Sequence, residues 1–228
     1  MRAGHTFAQA IHSRRTSLEP GPAGPGTLFG SAELVGSPFS YGSGEEIFGE
    51  GEEAEYVYRI VSGAVRTCKI LADGRRQINS FHVAGDLLGL ETGSMHRLNA
   101  EAVSETTMLL FRRRQLAAVA ARDADVACQL WSATAAHLLR AEDHLIRLGR
   151  RTALERVAAF LLELDDRLGG SGRIELPMSR RDIADYLGLT LETVSRAMSQ
   201  MQRQAALTLC GARHVHLDRR AVARLVEG

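Results

Sequence analysis

The sequence predicts an α+β chain: an N-terminal antiparallel, jelly-roll-like β-roll, then one long helix, then a C-terminal group of short helices with a β-hairpin. Three observations predict it. Between Ile47 and Phe111, short alternating apolar segments recur, each cut by a glycine-bearing turn. ADVACQLWSATAAHLLRAEDHLIRL then runs to Leu148 without proline or glycine. Finally, SRRDIADYLGLTLETVSRAM, Ser179–Met198, holds two short apolar-periodic segments on either side of Gly188.

Residues 1–40 are expected to be a flexible tail, because PGPAGPG at 20–26 and GSP at 36–38 break regular structure; at most a short helix is expected near 31–35. The roll is expected over 41–120. YVYRIV at 56–61 is β-branched and aromatic, AVRTCKIL at 64–71 alternates, and Asp73-Gly74 between it and RRQINSFHV is a hairpin signal. AEAV and TTMLLF supply a further pair. Strands this short bury one face each, so the sheet must curl on itself to enclose a core.

A long helix is expected over 121–149, ended by Gly149. Ala124, Ala127, Trp131, Thr134, Leu138, Ala141, Leu145 and Leu148 recur in steps of three and four, the spacing of a seam between paired helices. Trp131, Thr134, Leu138, Ala141, Leu145 and Leu148 are therefore the expected contacts of a parallel homodimer, and Leu130, Ala133 and Leu139 are left to face the roll. The alternative is a helix packed wholly within its own chain.

Residues 150–228 are expected to form the last domain. RTALERVAAFLLELDDRLGG reads as an amphipathic helix and RIELP as a short strand. Ser179 can cap a helix with Asp182 at capping-box spacing, Gly188 permits the left-handed turn, and Thr190 can cap the next helix. Ile183, Ala184 and Leu187 face inward from the first helix, Val194, Ala197, Met198 and Met201 from the second. This is a helix-turn-helix pattern. Glu192, Ser195, Arg196 and Ser199 then share one outward face. Arg196 can give a two-pronged bond to guanine O6 and N7, Glu192 can accept from a cytosine amino group, and Ser195 can pack against, or bond to, a neighbouring base. Ser179, Arg180, Thr190, Thr193 and Ser199 are the expected phosphate contacts. LTLCGARHVHL, 207–217, reads as a hairpin wing that puts Arg213 within reach of phosphate, and Asp218 as the cap of a final helix.

The order of elements resembles the Crp-Fnr family of bacterial transcription regulators over roughly residues 40–228, most closely its FixK-like branch. The resemblance rests on FHVAGDLLGLE at 81–91 and on LETVSR at 191–196, where Glu192, Ser195 and Arg196 match the family's Glu-x-x-Ser-Arg recognition pattern. It implies a homodimer on double-stranded DNA with TTGA-type palindromic half-sites, an N-terminal sensor roll, contact with RNA polymerase, and activation of genes for low-oxygen respiration or nitrogen fixation. The chain departs from the cyclic-nucleotide-responsive branch: Gly89 is followed by Leu90, and Leu98-Asn99 stand where that branch has Arg-Ser. It departs from the iron–sulfur branch too, because its first forty residues contain no cysteine. No cofactor is expected. A haem-gated or ligand-gated sensor is the alternative, with His82, His96, His137 and His144 as the histidines to weigh. Cys210 is the thiol nearest the recognition helix, either redox-active or a semi-buried structural residue.

Composition agrees with a soluble, cytoplasmic chain. The 228 residues are 45% hydrophobic and 24% charged, with net charge +1. Residues 1–111 carry 9 basic against 13 acidic side chains, and residues 112–228 carry 19 against 14, so positive charge gathers where an anionic partner is expected. The three cysteines have no metal-ligand spacing, no apolar run reaches the roughly 20 residues of a membrane span, and the first twenty residues lack the apolar core of a secretory signal. Gly-rich phosphate loops and nucleophile elbows are absent, so an enzyme is not expected.

Overall fold

The computed structural model describes residues 26–150 and 152–227, which fall into two compact units. The described parts of Met1–Val65 and Ala84–Thr134 form one, and those of Arg66–Val83 and Ala135–Gly228 the other.

The first unit is the β-roll. Strands β1 (Ser37–Tyr41), β3 (Tyr56–Ser62), β6 (Leu87–Leu88) and β8 (Thr106–Arg112) make an antiparallel sheet in the order β1-β8-β3-β6. β2 (Glu46–Phe48) pairs antiparallel with β7 (Asn99–Ala102), and β4 (Ala64–Ile70) enters where the Val103 N–H donates to the Ala64 carbonyl at 2.9 Å. Alternation decides which side chains meet inside: Tyr58, Ile60, Met108 and Leu110 point to one core with Ile47, Phe48, Val65, Leu88, Ala100 and Ala102. The opposite faces of β3 and β8 send Val57 and Phe111 into a second core. There they meet Leu116 and Val119 of helix α1 (Arg113–Ala120) and Val126, with Leu130 and Ala133 packed alongside, from helix α2 (Ala124–Arg150). Gly63 is required between β3 and β4: its φ is +85°, and a Cβ there would lie 2.3 Å from the Glu105 carbonyl oxygen.

Two boundaries differ from expectation. The first 25 residues of the expected tail lie outside the described residues, but residues 26–40 are packed: Thr27 bridges Val35, and Leu28 and Leu34 join the second core. Two leucines can be sealed by a turn as well as by a helix, so 31–35 forms a turn closed by the Leu28 N–H bond to the Leu34 carbonyl (2.8 Å). Nor does Gly149 end the long helix, which continues to Arg150. One glycine costs a helix only about 1 kcal/mol, and the restart comes from Thr152, whose capping box with Glu155 opens α3 (Ala153–Arg167).

The second unit holds the end of β4 with β5 (Arg76–Val83), the later part of α2, and the C-terminal elements. These are α3, β9 (Arg173–Glu175), α4 (Arg180–Leu187), α5 (Leu191–Arg203), the hairpin β10 (Leu207–Leu209) and β11 (His214–Leu217), and α6 (Arg219–Glu227). The small sheet runs β10-β11-β9. Asp218 accepts from the Ala221 N–H at 3.0 Å and so caps α6. Val157, Phe160, Leu161 and Leu164 of α3 are buried, as are Ile183 and Leu187 of α4 and Val194, Met198 and Met201 of α5. An aromatic group ties three elements: Phe81 of β5 meets the Tyr186 ring edge-on at 5.3 Å, and Phe160 lies 5.7 Å from Tyr186.

Candidate nucleic-acid interface

Helices α4 and α5 are placed by local chemistry. Ser179 Oγ accepts the Asp182 N–H (3.1 Å) and donates to Asp182 Oδ2 (2.7 Å), which also receives the Ser179 N–H (3.1 Å). Gly188 ends α4 in the left-handed region, with φ 63° and ψ 40°. Thr190 caps α5 by accepting the Thr193 N–H at 3.2 Å. With Val194, Ala197, Met198 and Met201 turned into the core, α5 has only its other face to offer.

That face carries the expected base-reading residues. Glu192 and Arg196 are exposed and Ser195 is half-buried between them. Hydrogen bonds from its own backbone and the Thr190 hydroxyl, with Arg181 and Arg196 nearby, hold the Glu192 carboxyl below its ordinary range. It is therefore a carboxylate acceptor at neutral pH, the form that a base amino group requires.

The phosphate candidates divide. Thr190 and Thr193 lie together with hydroxyl oxygens 3.0 Å apart, at the first turn of α5. Arg213 is exposed in the β10–β11 turn, positioned by its carbonyl, which accepts from the Leu176 N–H at 2.8 Å. Ser179 and Ser199 are exposed, but each hydroxyl proton has an acceptor, Asp182 Oδ2 for Ser179 and the Ser195 carbonyl (2.9 Å) for Ser199. Arg180 is half-buried, whereas Arg181, which is not among the expected contacts, is exposed. The capping box supplied the signal: with Ser179 as cap, the second residue of α4 turns outward instead of the first.

The first helix is clamped by a buried carboxylate. Asp182 Oδ1 accepts from Arg66 Nη1 at 2.8 Å and from Arg76 Nη2 at 2.6 Å, and Arg76 also reaches Asp185 at 3.1 Å. Gln77 donates to the Asp185 carbonyl at 3.0 Å. None of these partners was expected from the sequence.

On α2, Trp131, Leu138 and Leu145 are 75%, 59% and 67% exposed, and Thr134 and Ala141 are exposed between them. Leu148 departs from this stripe: it is half-buried, with its Cδ2 3.9 Å from where a Cβ on Gly188 would sit. Of the residues expected to face the roll, Leu130 and Ala133 pack against its second core, and Leu139 is 62% exposed.

His82, His96, His137 and His144 each have a ring neighbour. His96 stacks on Phe48 at 3.6 Å and His144 on Tyr186 at 4.0 Å, while His82 and His137 stack at 5.5 Å. His96 Nδ1 bonds Glu91 at 2.9 Å, and Arg113 spans the carbonyls of Ala54 and Gly93, both at 2.8 Å. Asn99 accepts the Glu50 N–H at 2.9 Å. Cys68 is buried; Cys128 and Cys210 are exposed. Cys210 is thus not semi-buried, because it stands at the solvent end of the hairpin turn.

An antiparallel roll, a long helix and a winged helix-turn-helix with a polar recognition face define a transcription regulator with a DNA-binding domain. Residues 38–123 match the model of the cyclic nucleotide-binding domain, and residues 155–225 match that of the Crp-like helix-turn-helix domain. The nitrogen fixation regulation protein FixK of Azorhizobium caulinodans is 47% identical over 84% of this chain and 79% of its own. The FixK protein of Rhizobium meliloti is 39% identical over 91% and 93%. The solved structure of FixK2 from Bradyrhizobium japonicum superposes with a TM-score of 0.80 at 56% identity, covering 84% of this chain and 98% of that one. The chain belongs to the Crp-Fnr family of transcription regulators.

Proposed function

We propose that the protein is a homodimeric transcription activator that reads a palindromic site with TTGA-type half-sites and needs no bound effector. The observation that carries this reading is the recognition face of α5: Glu192, Ser195 and Arg196 stand together on one side while the other side is buried. Arg196 pairs with guanine, Glu192 with cytosine, and Ser195 packs between them; each good pair discriminates by about 1–3 kcal/mol. Thr190, Thr193 and Arg213 hold phosphates that set the register. Two copies joined along Trp131, Thr134, Leu138, Ala141 and Leu145 present two such helices about 34 Å apart, one turn of duplex. Similarity to proteins named for nitrogen fixation regulation, and to the transcriptional activatory protein AadR of Rhodopseudomonas palustris, supports activation of low-oxygen or nitrogen-fixation genes together with RNA polymerase.

Independence from an effector is supported by the inside of the roll, where Phe48, Tyr58 and His96 lie against one another. The match to a cyclic nucleotide-binding domain favours a second reading, a ligand-gated regulator on the same scaffold. Selection of bound duplexes from a random pool by purified apo-protein tests both. A recovered symmetric TTGA-type consensus supports the first reading. Recovery only after a small molecule is added supports the second, and recovery without base preference removes both.

A further inference from the structure

Beside the recognition helix lies an open cleft of about 910 Å³, of whose lining only Thr190 and Thr193 have a role in the reading proposed above. Leu71, Arg75, Arg76 and Gln77 of the β4–β5 hairpin line one side. Arg181, Asp185, Thr190 and Thr193 of the two recognition-motif helices line the other. Three guanidiniums and one carboxylate thus line this space. Arg76 is committed to part-buried Asp182 and Asp185, whereas Arg75, paired along one edge with the exposed Asp73, and the exposed Arg181 remain open to solvent. Arg75 is 77% exposed and gives its Nε–H to Asp73 at 2.7 Å, so the Nη hydrogens are the ones an incoming oxyanion meets. The hairpin that carries it is tied to α4 by the Asp182, Asp185 and Gln77 bonds, so Arg75 is held beside the first turn of α5.

We infer that the β4–β5 hairpin is an additional DNA-contacting element. Arg75, with Arg181, grips backbone phosphate next to the phosphate taken by Thr190 and Thr193. This rests on the proposal that α5 enters a DNA groove. The chemistry favours a polyanion over a small free anion. A small anion needs enclosing donors to offset its desolvation, and Arg75 and Arg181 are exposed. Duplex DNA carries a negative charge about every 1.7 Å along its axis with condensed counterions, so even an exposed arginine gains when it displaces one. Such a contact carries no base information; it adds affinity and salt dependence.

The test uses the full chain with Arg75→Gln, and Arg114→Gln, an exposed arginine of α1 outside the cleft, as the control for lost charge. Binding to the selected site and to a shuffled duplex is measured across a salt series. Arg75→Gln should flatten the slope of log K against log salt by about 1 per bound protomer on both duplexes, with base preference unchanged. Duplexes with single neutral methylphosphonates should contain a position that weakens wild-type protein and leaves Arg75→Gln unaffected. Equal slopes for Arg75→Gln and Arg114→Gln, or no such position, would overturn the inference. Failure to prefer the selected site overturns the sequence-reading proposal instead, and the slope on shuffled DNA still reports on Arg75.

Discussion

The imidazole of His144 lies flat on the phenol ring of Tyr186, 4.0 Å between centroids and 10° between planes. The contact joins the long helix α2 to α4, the first helix of the recognition motif. His144 Nδ1 is buried without a hydrogen-bond partner among the described residues. Burial lowers the His144 pKa, the Arg147 charge on the same helix adds to that, and Glu163 of α3 opposes it. Burial likewise pushes the Tyr186 hydroxyl up to about 12, helped by Glu163 and opposed by Arg147, Arg167 and Arg140. Both rings are therefore neutral where the chain is folded at neutral pH.

A pH dependence of stability follows. The unfolded chain takes up a proton at His144 near pH 6.5, whereas the folded chain resists it until a lower pH. Between those values the unfolded state binds more protons, so stability falls as pH drops through this window and levels off below the folded pKa. His144→Phe keeps a ring against Tyr186 and removes the titration. Thermal melts from pH 7.5 to 5 should show a smaller loss of Tm for His144→Phe than for wild type. Parallel curves for the two proteins would remove His144 from this role.

Asp182 presents a different balance. Its side chain is 7% exposed and answers two guanidiniums whose side chains are 15% and 24% exposed. Asp182→Leu removes the carboxylate that Arg66 and Arg76 share, leaving Arg76 its bond to Asp185, and breaks the α4 capping box, at a cost of roughly 3–5 kcal/mol. Replacing Arg66 and Arg76 by Leu in the same chain should recover part of that loss. Denaturant titrations of the single, double and triple variants measure it, and strictly additive losses would show that the three residues do not act together.

These examples show which parts of the site were legible in the sequence. The helix-turn-helix was, because its signals are local: Ser179 and Asp182 lie three residues apart, Gly188 sits at the turn, and Thr190 at the next cap. The clamp on Asp182 was not, because Arg66 and Arg76 lie 116 and 106 residues away along the chain and nothing in their own surroundings marks them. Leu148 differs from the rest of its stripe for a geometric reason. A seam counted in sevens drifts about 20° per repeat around a straight helix, and by its last position the side chain has turned toward Gly188. The tail boundary was drawn too late because glycine and proline around Leu28 and Leu34 hide two core residues in a stretch without period.

The two glycines with the clearest backbone roles should respond differently to alanine. At Gly188, φ is +63° and the nearest atom to a new Cβ is Leu148 Cδ2 at 3.9 Å, so Gly188→Ala bears only left-handed strain, about 1–2 kcal/mol. At Gly63 the same strain is joined by backbone clashes, 2.3 Å to the Glu105 oxygen and 2.7 Å to the Thr106 Cα. Gly63→Ala should therefore destabilise the protein clearly more than Gly188→Ala in denaturant titrations. The reverse order would mean that the β3–β4 turn relaxes easily.

The α2 stripe separates association from folding. Leu138 and Leu145 are 59% and 67% exposed in a single chain, so Leu138→Asp removes little from that chain's own core. In a paired helix the same position sits at the seam, where a buried unpaired carboxylate opposes association. Sedimentation should therefore find wild-type protein as a dimer and Leu138→Asp as a monomer of unchanged helix content by circular dichroism. Binding to a two-half-site duplex should drop steeply, because the second half-site no longer gains from being tethered to the first. Leu139→Asp, 62% exposed but outside the heptad line of Trp131, Leu138 and Leu145, is the comparison. If it breaks the dimer as thoroughly as Leu138→Asp, the seam runs along a different line of the helix.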